Sequence, residues 1–195
     1  MATLTSQLES VNVMLGHIGE SPINTLSGIL PISATTALAV LNEVSKEIQS
    51  EGWHFNSEKN VTLSPDSNNN TITVPTDAVQ VDADDKSVDI VQRGSVLFDR
   101  TDNTDTFTES IKVNLVRLLD WDSLPEEARR YISLRASRVF QGRTVGSREL
   151  EALIARDEYQ ARSRLEESDY GSSDRTIFDN FDAATRIGIN RNYDI

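Results

Sequence analysis

The strongest constraint on this chain is a hydrophobic period that switches twice. Leu4, Leu8, Val11, Met14, Leu15 and Ile18 recur at three and four residues, as do Ala34, Ala37, Leu38, Leu41, Val44 and Ile48. Each set forms the apolar stripe of a helix. From Trp53 to about position 119 the pattern becomes alternation: Trp53 and Phe55, Val61 and Leu63, Ile72 and Val74, Val79 and Val81, Val88 and Ile90. Short alternating runs separated by "SPDSNNN", "DADDK", "QRG" and "DNTDT" predict antiparallel strands and hairpins. Helical spacing then returns with Ala128, Tyr131, Ile132, Val139 and Phe140, and again with Leu150, Leu153, Ile154, Ala161 and Leu165. Helices that bracket strands predict an α+β chain. The expected architecture is a bundle of about four helices built from residues 1–52 and 120–168. A small antiparallel β-domain over 53–119 is inserted in it, and an extended C-terminal arm covers 169–195.

Local signals set the expected ends. Thr3 or Thr5 caps the first helix, and Gly19 with Pro22 stops it. Ser33 caps the second and Gly52 closes it. Ser123 with Glu126 reads as a capping box ahead of the third helix, with Pro125 in its first turn. Gly142 ends that helix, and a fourth starts near Ser147. Opposite charges at helical spacing, such as Arg162 and Glu166, suit a solvated or subunit-facing helix. The arm has no regular period, yet it carries Ile177, Phe178, Phe181, Arg186, Ile187, Ile189 and Tyr193 among polar residues. An aromatic-bearing segment of this kind predicts ordering against another chain; folding back on its own core is the alternative.

Composition removes several functional classes. There are no cysteines and only two histidines, so thiol chemistry and a zinc site lack their ligands. The net charge of −12 opposes tight binding to phosphates. An acidic surface repels DNA rather than holding it. The opening "MATLTSQLES" has no positive region or apolar run, and no stretch has the length of a membrane span. A soluble protein made in a cytoplasm, without membrane anchor, cofactor or metal, is expected.

Carboxylates are the only abundant reactive groups. Asp82, Asp84 and Asp85 cluster in the β-region, and Asp99, Asp102 and Asp105 follow at three-residue steps. A pair at suitable separation would serve a polysaccharide hydrolase. The alternative is turn-forming aspartates on solvated hairpin edges. The calcium-loop pattern is incomplete, because its glycine and closing glutamate are missing. No catalytic set stands out. The cluster "EGWHFNSE" concentrates rare residues where the period changes. Trp53 and Phe55 are therefore expected to plug the junction between bundle and β-domain, with His54 facing outward.

Four segments in order resemble the tail tubular protein A family: "SVNVMLGHIGESPINTL", "EIQSEGWHFNSE", "LFDRTDNTDTF" and "LPEEARRYISLRASRVF". The resemblance covers about residues 4–165. These are adaptor (head–tail connector) proteins of short-tailed bacteriophages. The resemblance implies a structural protein of the virion tail, assembled in the host bacterial cytoplasm as a ring of twelve. That ring would sit between the portal and the nozzle (tail tubular protein B). Tail fibres would attach nearby, and DNA would pass through the channel without specific binding. It also implies that the C-terminal segment reaches the portal, with Ile177, Phe178, Phe181, Arg186, Ile187, Ile189 and Tyr193 as candidate contacts. For closure of the ring, Arg129, Arg130, Arg135 and Arg138 on the third helix are expected to meet Glu151, Asp157 and Glu158 on a neighbour's fourth helix.

Overall fold

A computed structural model describes residues 4–172. The arm candidates Ile177, Phe178, Phe181, Arg186, Ile187, Ile189 and Tyr193 lie outside the described residues. The fold is α+β: four long helices and five short antiparallel strands. The helices are α1 (Gln7–His17), α2 (Ile32–Gln49), α3 (Glu126–Thr144) and α4 (Arg148–Ser172). The strands are β1 (Ser57–Leu63), β2 (Ala78–Ala83), β3 (Ile90–Arg93), β4 (Val96–Asp99) and β5 (Ile111–Arg117).

Several helix ends differ from expectation, each for a local reason. Ser6, rather than a threonine, caps α1 through a reciprocal box with Glu9. Thr5 is engaged elsewhere: its N–H and hydroxyl both donate to Glu126. That same glutamate is therefore not free to close a box with Ser123. Ser123 sits in a short 3-10 turn, and Pro125 occupies the N-cap position of α3 without a side-chain cap. Pro31, not Ser33, precedes α2. α3 runs through Gly142 to Thr144, and the left-handed residue that stops it is Gly146, at φ 70°. α4 continues to Ser172, past the position where the arm was expected to start.

Side-chain bonds give the helix directions. Ser133 bonds Ser10, and Arg129 bonds the Thr5 carbonyl, so α1 and α3 run parallel. Arg143 pairs with Glu43 and Arg135 with Glu47, so α2 runs against α3. Arg138 pairs with Glu158 and Arg162 bonds the Tyr131 hydroxyl, so α4 also runs against α3. The bundle thus has a base, where α1 and α3 start and α2 and α4 finish. At the opposite end lies a crown, where α1 and α3 finish, α2 and α4 start, and the loop 18–31 crosses.

Strands form a three-stranded sheet in the order β1-β5-β2 and a β3-β4 hairpin. Ile72 and Val74, expected in a strand, make only bridge-like bonds to the β4 side: the Ile72 carbonyl accepts from Leu97, and Val74 N–H donates to Ser95. Val88 lies in a turn before β3. Asn60, Asn70 and Asn103 have positive φ, a region asparagine tolerates better than most residues. Asn60 sits where the β1–β5 register shifts, marking a bulge.

Burial falls into two clusters. One gathers Met14, Leu15, Leu41, Ile48, Trp53, Leu124, Ile132, Phe140 and Leu165 from all four helices and the segments beside them. The other gathers Ile90, Leu97, Val113 and Leu115 from the strands with Ile72 and Phe107 from the segments beside them. Each fully buried aliphatic or aromatic side chain contributes about 1.5–3 kcal/mol, so each cluster is a substantial core.

Candidate functional site

The rare-residue stretch is where the two clusters meet, but its geometry differs from the alternation. Gly52 leaves α2 at φ 76°, and a Cβ there would lie 3.2 Å from the Val116 methyl of β5. His54–Asn56 then form a 3-10 turn, and the strand begins only at Ser57. Trp53 is buried and its indole N–H donates to the Ile48 carbonyl at 2.8 Å. Phe55 is half-buried against the same helical cluster. Both aromatics thus pack on the bundle side. The residue that spans to the sheet is Asn56, 3% exposed. Its Nδ2 donates to the Gln49 carbonyl of α2 and the Arg117 carbonyl of β5, both at 2.8 Å, and its Oδ1 accepts from Trp53 N–H at 2.9 Å.

Gln49 is a second polar bolt. Its Oε1 accepts from Leu119 N–H at 2.7 Å, and its Nε2 donates to the Leu119 carbonyl and to Ser45. One side-chain amide satisfies both backbone groups of the residue that follows the sheet. Arg117 adds charge to the same corner, with Asp77 and Glu58 each at 2.9 Å. That guanidinium holds the Asp77 carboxyl below its usual range. Two buried amides were missed in the sequence because the period search scores apolar positions only. The one available signal was an asparagine and a glutamine flanking "GWHF", each in a slot that the helical or turn geometry buries.

On the bundle's side, arginines and glutamates line a groove of about 360 Å³ between α2, α3 and α4. Arg135 and Arg138 both donate to Glu158, which is 9% exposed. The carboxylate pushes the Arg138 pKa up. Arg162 reaches Glu51, Glu166 and Tyr131. The complementary contact expected between neighbouring subunits is therefore made within one chain for Arg135, Arg138 and Glu158. Arg129 is 4% exposed and is spent on the carbonyls of Thr5, Asp122 and Leu124. It has no surface to offer a neighbour. Arg130 and Asp157 are exposed, and Glu151 faces Arg138 loosely at 3.8 Å. A polar hollow of about 550 Å³ lies across the bundle, lined among others by Gln7, Asn42, Lys46 and Trp121.

Among the candidate β-region carboxylates, Asp85 and Asp99 act as turn acceptors and Asp84 accepts from the Asn114 side chain at 3.4 Å. Asp85 accepts from Ser87, which lowers its pKa, and Asp99 accepts from the N–H groups of Thr101 and Asp102. Among the described residues no three His, Cys, Asp or Glu side chains are grouped to hold a metal ion.

A tail tubular protein family model matches residues 8–174, from the first turn of α1 to just beyond α4. The chain belongs to the tail tubular protein family. It is a structural component of the phage virion tail, from a family that works by assembling with other virion proteins. A search of curated proteins finds no match. Among the described residues no helix is long and apolar enough to cross a membrane.

Proposed function

We propose that this tail tubular protein is the adaptor type: one subunit of a ring, twelve-fold by resemblance, that joins the portal to the nozzle and forms part of the channel for genome ejection. The observation that carries this reading is the family match running through both the bundle and its β-insert, on a chain whose four adaptor-like segments occur in order. The net charge of −12 supports a conduit, because acidic walls let DNA slide without trapping it. A ring needs one patch to meet a different patch on the next copy. In this reading Arg130 on α3 and Glu151 and Asp157 on α4 serve that contact, while Arg135, Arg138 and Glu158 hold α4 in place. Ile177, Phe178, Phe181, Arg186, Ile187, Ile189 and Tyr193 remain the proposed portal contacts, and the β-domain turns carry the nozzle and fibre contacts. Assembly takes place in the host cytoplasm, and no catalysis is involved.

The test is electron microscopy of the protein mixed with its portal protein. Full-length chain is expected to form a ring docked on the portal. Removal of residues 172–195 is expected to abolish docking and leave a folded protein. Normal docking by the truncated chain would remove the arm from the mechanism. Glycan hydrolysis that disappears when Asp82, Asp84, Asp85, Asp99, Asp102 or Asp105 becomes Asn would replace the structural reading with an enzymatic one.

A further inference from the structure

Two concave surfaces of the bundle differ in how their charges are satisfied. In the groove between α2, α3 and α4 every charged lining residue is paired within the chain: Glu47 with Arg135, Glu51 with Arg162, and Arg138 with Glu158. The polar hollow of about 550 Å³ on the α1 and α2 side is different. It brings Lys46, Asp120 and Asp122 into one cavity, and all three are exposed. Among the described residues none of these three side chains has an ion pair or a hydrogen bond. Trp121 lines the same hollow, and its indole N–H is already donated to the Thr5 carbonyl at 3.0 Å, so ring surface is what it can still offer. An aromatic ring with carboxylates beside it suits a guanidinium group. Two carboxylates against one ammonium leave the hollow with one negative charge in excess.

We propose that the hollow receives Arg130 and Arg164 of a second copy of this chain. The proposal rests on the ring reading above and names the two patches that close the ring. Charge complementarity is the first support. Arg130 and Arg164 are exposed and without a partner among the described residues, and their sign is opposite to that of the hollow. Glu127, exposed one turn before Arg130, offers Lys46 the opposite sign. The two arginines also share a side of the bundle. On α3, Ser133 faces α1 and Tyr131 faces α4, and position 130 lies between those two directions. On α4, Arg162 reaches Glu51 beside the end of α2. Arg164, two residues on, is turned about 200° from it and so points away from α2. Height supplies the third support. Arg162 bonds the Tyr131 hydroxyl, so Arg130 and Arg164 both lie near the first turns of α3. The hollow lies at that level too: Gln7 is one turn before Ser10, which bonds Ser133, and Trp121 leads into α3. Unlike patches at one height on different sides let successive copies repeat by rotation alone, which closes a ring, whereas an offset in height winds a filament.

Charge reversal tests this in the full-length protein, with rings on the portal protein counted by electron microscopy. D120R with D122R leaves both patches positive, and R130D with R164D leaves both negative. Either variant alone is expected to lower the fraction of portals carrying a ring at least about tenfold, because like charges then meet at every contact. Mixed in equal amounts, the two variants are expected to restore rings of alternating copies, since each hollow then meets the opposite sign. The variant with all four changes should form rings by itself. Rings at the wild-type level from either reversed variant alone would overturn the proposal and leave the ring reading standing. So would reversed variants that form no rings when mixed while the wild-type chain does. A wild-type chain that forms no ring would remove the ring reading, and the proposal with it.

Discussion

Asn56 carries the connection between the two cores, so its removal has a size that can be worked out. In Asn56→Ala, the Trp53 N–H and the carbonyls of Gln49 and Arg117 lose a partner. The Gln49 carbonyl also accepts from Gly52 N–H, so its loss is partial. A buried polar group left unpaired costs about 1–3 kcal/mol, and the Arg117 carbonyl, whose bond is only partly buried, takes about 1, so the other two groups sum to about 2–4 kcal/mol. For a chain of this length 1 kcal/mol moves Tm by about 2–4 °C, so the midpoint should fall by about 5–15 °C. Urea unfolding followed by tryptophan fluorescence reads this directly, because Trp53 and Trp121 both pack on the bundle cluster. Asn56→Asp is the sharper variant. It sets a carboxylate against two carbonyl oxygens, which raises its folded pKa. Its penalty is then absent below the unfolded value of about 3.9 and complete once the pH exceeds the folded pKa. Relative to Asn56→Ala, the aspartate protein should gain stability as pH falls. A loss under about 0.5 kcal/mol for Asn56→Ala, which is the ordinary range for surface changes, would refute the bolt.

The aromatics beside it should differ from each other: Trp53→Ala should cost about 3–5 kcal/mol and half-buried Phe55→Ala clearly less, measured by the same urea titration. Glu158→Gln keeps the shape but removes the charge that holds Arg135 and Arg138, and should cost about 1–2 kcal/mol after allowing for partial solvation. Hydrogen exchange should accelerate in α4 before α2. His17 is half-buried with its Nδ1 unpartnered, and burial lowers its pKa below 6.5. The unfolded chain therefore binds the proton first, so this stability is complete above about pH 6.5 and lost as pH falls through the folded value. His17→Gln should flatten the Tm profile between pH 7.5 and 5.5.

Helix identity was legible because burial in the bundle follows the apolar stripe: Met14, Leu41, Ile48, Ile132 and Leu165 are each almost fully buried. The ends were not, because capping groups compete. Glu126 is three places after Ser123, yet Thr5, more than a hundred residues away, takes it. The change of period at Trp53 is legible, but the local geometry there is not. Trp53 and Phe55 draw the eye by rarity, but alternation over three residues cannot distinguish a strand from a 3-10 turn. The turn is what aims Asn56 inward. The arginine face is ambiguous for a different reason: complementary charges on α3 and α4 pair equally well in one chain or across two, and the antiparallel packing of those helices pairs Arg135 and Arg138 with Glu158 inside the chain.

That intramolecular pairing bears on how a ring could close. Glu158 is already satisfied by two guanidinium groups, so a neighbour could use it only by displacing them, at a cost in α4 anchoring. α4 buries just Ile154, Glu158, Ala161 and Leu165 in 25 residues, which makes it the helix least able to bear that cost. Contacts between copies in the adaptor reading therefore belong on groups not tied down in this way, such as Arg130 and Asp157, and on apolar surface at the crown. Both the β-domain and the root of the arm leave from the base, through Asn56 and Asp169. At the crown the loop 18–31 packs Ile18, Ile23, Leu26 and Leu30 on the bundle cluster while Ile29 and Ile32 stay exposed, so a contact using those two displaces no ion pair.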